Sequence, residues 1–197
     1  MTQNKPRIVN VPNALTLLRL ILIPVFVWLM IRDRMMWALG VFAFASFTDI
    51  LDGWIARRFN LITDVGKLMD PLADKLMVLS VMIAMAVKGI IPWAVLVILF
   101  VKEGLMVLGG LLLLSRKVVV SATGMGKIAQ FFLVISLVLC FFHAFFSRIA
   151  APVHLWALWF AAGLSVLSLL HYVKRNGPRM FRRNPDIKQA DEPSPRG

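Results

Sequence analysis

The sequence is poor in the residues that mark most soluble enzymes. It has one cysteine, Cys140, inside the apolar run Leu133 to Phe146, so no internal disulfide and no Cys-rich zinc site can form. Its three histidines, His143, His154 and His171, have no ligand-like spacing to any acid and read as interface or packing residues. Acids are scarce as well: ten Asp and Glu stand against 22 Lys and Arg, for a formal net charge of +12. The basic residues lie between and beyond apolar runs rather than along one amphipathic face, which argues against nucleic acid as the partner and for an anionic membrane leaflet. What abounds is apolar: 59% of the 197 residues are hydrophobic and the mean hydropathy is +0.80, outside the range of an ordinary soluble domain.

A bilayer core is crossed by roughly 20 apolar residues of helix. Such runs occur at about 15–31, 35–57, 67–88, 91–115, 126–147 and 152–173, separated by short polar, Gly or Pro breaks. The expected fold is therefore an all-α integral membrane bundle of six transmembrane helices. The first run is followed by Arg32-Asp33-Arg34 instead of a small-residue cleavage site and reads as a retained span. An inside N-terminus puts Lys5, Arg7, Arg57, Arg58, Lys67, Arg116, Lys117, Lys127 and the C-terminal segment on the cytoplasmic side. Only Arg32, Arg34, Lys88 and Arg148 are left outside, as the positive-inside rule prefers. Trp28, Trp37, Trp93, Trp156 and Trp159 then fall near the outer interface and Trp54 near the inner one. Residues 1–175 form the expected membrane domain, and the basic, Pro-containing residues 176–197 read as a disordered cytoplasmic tail held near anionic lipid.

Half of the ten acids, Asp49, Asp52, Asp64, Asp70 and Asp74, crowd into 26 residues that overlap the cytoplasmic ends of the second and third spans. Charges at such depth are costly and mark function. Residues three or four apart share a helix face, so Asp49, Asp52, Gly53, Ala56 and Arg57 run along one side of the second helix, and Gly66, Asp70 and Asp74 along one side of the third. A short connection makes the two helices antiparallel neighbours with four carboxylates at one depth and a site cavity at the cytoplasmic end. Four such charges repel unless they are neutralised, by two hard divalent cations or by Arg57, Lys67 and Lys75 in a charge network. Gly53 and Ala56 leave a strip without side-chain bulk, suited to a flat base or ribose or to close helix packing. Arg57 beside it can neutralise phosphate or anchor the helix end. Asp64 reads as a loop or cap residue, and the adjacent Lys102 and Glu103 are expected to face different partners within the fourth span.

Written as a pattern, Asp49-x2-Asp52-Gly53-x2-Ala56-Arg57-x8-Gly66-x3-Asp70-x3-Asp74 resembles, position by position, the signature of the CDP-alcohol phosphatidyltransferases. Asn13-x-Leu15-Thr16-x2-Arg19 resembles the start of the bacterial phosphatidylglycerophosphate synthase branch. The resemblance implies transfer of the phosphatidyl group of CDP-diacylglycerol to an alcohol, with release of CMP, in the cell membrane and by a homodimer. It implies two divalent cations, Mg²⁺ or Mn²⁺, held by Asp49, Asp52, Asp70 and Asp74, with Asp74 as the base. Asp52, Gly53, Ala56, Arg57 and Gly66 would take the nucleotide, and Asn13, Thr16 and Arg19 would contact lipid or headgroup. The acceptor implied is glycerol 3-phosphate, its phosphate met by Arg116, Lys117 and Lys127. Gly126-Lys127 keeps the first half of that branch's Gly-Lys-x-Lys-Thr loop, and Ile128-Ala129-Gln130 replaces the rest. Competing readings are transfer to inositol phosphate, serine or phosphatidylglycerol, a divalent-cation transporter, and an intramembrane prenyl transferase. The transporter does not need the small-residue strip, and prenyl transferases are longer.

Overall fold

The structure, a computed structural model, describes residues 11–58, 64–115, 124–148 and 152–181. Every element among them is helical: α1 (Val11–Ile31), α2 (Met35–Arg58), α3 (Asp64–Val87), α4 (Trp93–Ser115), α5 (Gly124–Phe141), α6 (His143–Arg148) and α7 (Val153–Phe181). Within the described residues, five helices, α1, α2, α4, α5 and α7, are long and apolar enough to cross a membrane. The sixth expected crossing, α3, is as long as α2 but carries Asp70, Asp74 and Lys75 in its first half, which sets it apart from the other five. Large apolar side chains on the outside, among them Leu17, Ile21, Phe47, Ile50, Phe100, Phe131, Phe160 and Leu170, are exposed, as lipid rather than water requires.

Tight turns close α1–α2 and α3–α4 at one end of the bundle. After α1 the Arg34 N–H donates to the Leu29 carbonyl (3.0 Å), and after α3 the Ile90 N–H donates to the Met85 carbonyl (2.9 Å). Both are six-residue Schellman closures, with Asp33 (φ 58°) and Gly89 (φ 71°) in the left-handed position that ends the helix. Lys88 pairs with Asp33 and ties the two turns together. Trp28, Trp37 and Trp93 stand exposed beside these turns, and Arg32 covers the Trp28 ring at 5.7 Å.

Packing differs from expectation in one consequential respect. Helices α2 and α3 touch each other only sparingly, whereas α1 packs along the length of both. The first helix is thus the spacer between the two acid-bearing helices. Its Phe26 meets Phe141 of α5 edge-on (6.3 Å), and Phe42 of α2 stacks on the same ring (6.2 Å), joining three helices at one buried point. Met77, Val81 and Met85 extend that core along α3, and Leu133 and Leu137 along α5. Opposite, α7 packs on α5 and α4, with Ala161, Ala162, Ser165 and Ser168 buried so that backbones approach closely.

Two boundaries also move. The fifth span, expected to run to 147, stops at Phe141. The chain turns at Phe142 and resumes as α6, whose Phe146 stacks on His154 of α7 at 5.7 Å, 6.5 Å being the distance between the His143 and His154 rings. His143 and His154 therefore serve packing, as expected. Helix α7 continues to Phe181, past the expected end of the membrane domain at 175, and buries Asn176, whose amide donates to the Tyr172 carbonyl (3.0 Å).

Because lipid is as apolar as the core, helix association here rests on contact rather than on removal from water. Phe141→Ala should therefore cost about 2 kcal/mol, less than the roughly 3–5 of a soluble core. The check is thermal unfolding in detergent, where the midpoint should fall by several degrees. An unchanged midpoint would contradict the three-helix junction.

Candidate active site

At the end of the bundle away from the two tight turns, three helices supply polar side chains to one place. The lower half of α2 contributes Asp49 and Asp52, one helical turn apart. The upper part of α3 contributes Asp70 and Asp74, again one turn apart, with Pro71 inside the helix between them. From α1 come Thr16 and Arg19, also one turn apart on the face that meets both neighbours.

Arg19 is the centre of this arrangement. It is 1% exposed, at the middle of an otherwise apolar helix. Its Nη1 lies 2.7 Å from Asp49 Oδ1, and its Nη2 donates to Asp52 Oδ2 at 2.6 Å, so one guanidinium bridges both carboxylates of α2. Asp52 is 2% exposed and Asp49, nearer the rim, 39%. Thr16 Oγ1 donates to Asp70 Oδ1, carrying the same grip to α3. Half-buried Asp74 is within electrostatic range of Asp49, Arg19, Glu103 and Lys75, while Asp52 feels Asp49 and Asp70. Arg19 and Thr16 thus hold Asp49, Asp52 and Asp70 of the sequence pattern against α1, with Asp74 one turn beyond Asp70 on α3.

A second ionic contact pins the neighbouring helix. Glu103 of α4 accepts from Lys102 (2.5 Å) and pairs with Lys75 of α3 (3.1 Å), beside Asp74. Lys102 and Glu103 were expected to part ways, being adjacent on a helix. The four-carbon stem of Lys102 instead lets its buried ammonium swing across to its neighbour.

The remaining expected residues fall as follows. Gly53 is half-buried next to Asp52. Ala56 and Arg57 lie in the last turns of α2 and Gly66 in the first turn of α3, their side-chain surroundings outside the described residues. Asp64 is the first residue of α3, as a cap position would have it. Lys127 is exposed in the first turn of α5; Arg116 and Lys117 lie outside the described residues. Asn13 is half-buried near the start of α1 and has an interaction partner. Thr16 and Arg19, expected to contact lipid or headgroup, are buried against the aspartates, because an arginine within an apolar helix is stable only beside a counter-charge. The sequence carried that signal, a lone arginine in an apolar run with threonine one turn before it.

The donor set suits a hard divalent cation: carboxylate oxygens alone, with no thiolate or imidazole. A cation already stands among them in the form of the Arg19 guanidinium. Among the described residues no three acidic, His or Cys side chains converge closely enough to hold an ion together as they stand.

Comparison with known proteins bears on the same residues. The sequence matches the family described as CDP-alcohol phosphatidyltransferase over residues 9–167, which contain every side chain of the cluster. It is 34% identical over 187 residues to the CDP-diacylglycerol--glycerol-3-phosphate 3-phosphatidyltransferase of Bacillus subtilis, covering 85% of this chain and 95% of that protein. It is 46% identical over 82 residues to the Rickettsia typhi protein of the same name, covering 40% of this chain and 46% of that one. The cardiolipin synthase (CMP-forming) of Streptomyces coelicolor is 39% identical over 113 residues; the match covers 54% of this chain and about half, 53%, of that protein.

The Thr16 contact can be weighed separately. Thr16→Val keeps the shape and removes the donor, so it should lower stability by about 1.5–3 kcal/mol, the worth of a hydrogen bond to a charged group. Thr16→Ser should restore it. Thermal unfolding of the purified variants is the check, and equal midpoints for all three would contradict the contact.

Proposed function

The chain belongs to the CDP-alcohol phosphatidyltransferase family, and from that premise we propose that it transfers the phosphatidyl group of CDP-diacylglycerol to glycerol 3-phosphate, giving phosphatidylglycerophosphate and CMP. The observation that carries this reading is the hold of α1 on the signature aspartates of both neighbouring helices, Arg19 on Asp49 and Asp52 of α2 and Thr16 on Asp70 of α3. The 34% identity to the Bacillus subtilis enzyme over nearly its whole length supports the acceptor.

Asp49, Asp52, Asp70 and Asp74 would hold two divalent cations, Mg²⁺ or Mn²⁺. Such ions supply polarisation of the diphosphate and neutralise the charge of departing CMP. The chain's own residues do the rest. The strip of Gly53, Ala56 and Gly66 admits the nucleotide, and Arg57 pairs with its phosphate. Asp74, on the third turn of α3, takes the proton of the acceptor hydroxyl. The hydroxyl oxygen then forms its bond to the phosphatidyl phosphorus as the bond from that phosphorus to the bridging oxygen breaks, and CMP leaves with the electron pair. Lys127, with Arg116 and Lys117, meets the phosphate of glycerol 3-phosphate.

In the membrane, α3 completes six crossings and the aspartates open toward the cytoplasm, where the lysines and arginines of the positive-inside side lie. The protein works in the cell membrane as a homodimer among anionic lipids. A second acceptor, phosphatidylglycerol, is favoured by one observation, the 39% identity to the Streptomyces coelicolor cardiolipin synthase. Both acceptors use the same donor half of the site and differ at the cationic end, so the lysine at 127 separates them.

Purified protein supplied with CDP-diacylglycerol and a panel of alcohols should release CMP with glycerol 3-phosphate, and excess EDTA should abolish the release. Asp74→Asn should lower turnover by at least about 100-fold, the usual worth of a positioned base, while CDP-diacylglycerol still binds. Near-parental turnover would remove Asp74 from that role. Lys127→Ala should reduce kcat/KM for glycerol 3-phosphate about ten- to hundred-fold, the equivalent of one charge-assisted hydrogen bond. Unchanged acceptor kinetics would instead favour an unphosphorylated alcohol or a lipid acceptor.

A further inference from the structure

The side chain with the firmest hold on the aspartates lies outside their signature. Arg19 is buried to 1% exposure with its Nη1 and Nη2 at 2.7 and 2.6 Å from Asp49 and Asp52. Its Nε and Nη1 are also buried without a hydrogen-bond acceptor, so Nη2 alone makes a hydrogen bond, to Asp52, and Nη1 meets Asp49 as an ion pair. A buried guanidinium with an idle N–H is incompletely used, because each unpaired buried donor carries a desolvation cost. The oxygens it engages belong to the same two carboxylates that the proposed reading gives to divalent ions.

We infer that Arg19 is a built-in counter-cation of the metal site, which neutralises Asp49 and Asp52 before an ion arrives and then competes with the ion for their oxygens, so that it sets the affinity. The inference rests on the reading that the aspartates hold divalent cations. Without a resident positive charge, carboxylates gathered in a half-dry site repel one another until an ion arrives. With it, an incoming dication meets a like charge within about 3 Å of the ligand oxygens and must displace or share each bond. The same resident charge therefore assembles the site and weakens its grip on the ion. Arg19 acts through Asp49 and Asp52, which makes it a positioning residue, and the property it governs is metal affinity.

The test uses the full-length chain in detergent micelles and Mn²⁺ as the probe, with free Mn²⁺ counted by electron paramagnetic resonance. Parent protein should bind Mn²⁺, and Asp52→Asn should bind it more weakly. Arg19→Gln removes the charge and keeps a donor, so it should bind Mn²⁺ at least about tenfold more tightly than the parent, the equivalent of one charge-assisted hydrogen bond. Arg19→Lys keeps a cation that can no longer span two carboxylates, and should tighten binding by about threefold. If Arg19→Gln does not give a folded protein by gel filtration, Arg19→Lys decides alone. Mn²⁺ affinity equal to or weaker than the parent's in the folded Arg19 variants, while Asp52→Asn still weakens it, overturns the inference and leaves the metal reading standing. Absence of Mn²⁺ binding in the parent overturns both.

Discussion

Arg19 reaches from the middle of α1 to two carboxylates one turn apart on α2, and the geometry of the whole aspartate end follows from that bridge. A charge in an apolar helix is tolerated only beside an opposite charge, and two acids on α2 are tolerated only beside a cation. Each side of the bridge is thus the condition for burying the other. Removing one partner from such a buried pair commonly costs about 3–5 kcal/mol, because the other is left uncompensated. The requirement explains why α1 lies against both α2 and α3, with Thr16 carrying the contact on to Asp70.

The opposite end is built differently. There two Schellman turns, at Asp33 and Gly89, and the Lys88–Asp33 pair join α1–α2 to α3–α4, and the aromatic junction of Phe26, Phe42 and Phe141 sits within the bundle. Backbone closure, aromatic contact and the single Lys88–Asp33 pair hold that end, whereas a chain of ionic and hydrogen-bonding contacts holds the end with the aspartates. Glu103, between Lys102 and Lys75, extends the same kind of contact to α4 and places one more charge near Asp74.

Much of this was legible in the residues. Apolar runs located the six long helices, with most ends within four positions but the ends of α5 and α7 off by six and eight, and the spacing of Asp49, Asp52, Asp70 and Asp74 placed each pair on one helical face. The family followed from these four aspartates together with Gly53, Ala56, Arg57 and Gly66, and the match over residues 9–167 agrees with it. What the pattern could not give was helix adjacency. A short link between α2 and α3 invites direct pairing, yet like charges on the facing sides admit α1 between them. The role of Arg19 was missed for the same reason: its partners stand more than 29 residues away in sequence, and no local periodicity reports such a contact. The break at Phe142 was equally hidden, because the run to Phe146 stays apolar while Phe146 turns to stack on His154. Lys102 and Glu103 show the limit of face arguments, which hold for short side chains and fail for a lysine long enough to reach its neighbour.

The central claim is that the carboxylates gathered by α1 at one end of the bundle form the reaction centre. Anomalous scattering from crystals grown with Mn²⁺ and CDP-diacylglycerol tests it most directly. The account predicts two manganese peaks among Asp49, Asp52, Asp70 and Asp74, with the diphosphate of the donor against them. Peaks elsewhere in the bundle, or a donor diphosphate bound away from these four side chains, would contradict it.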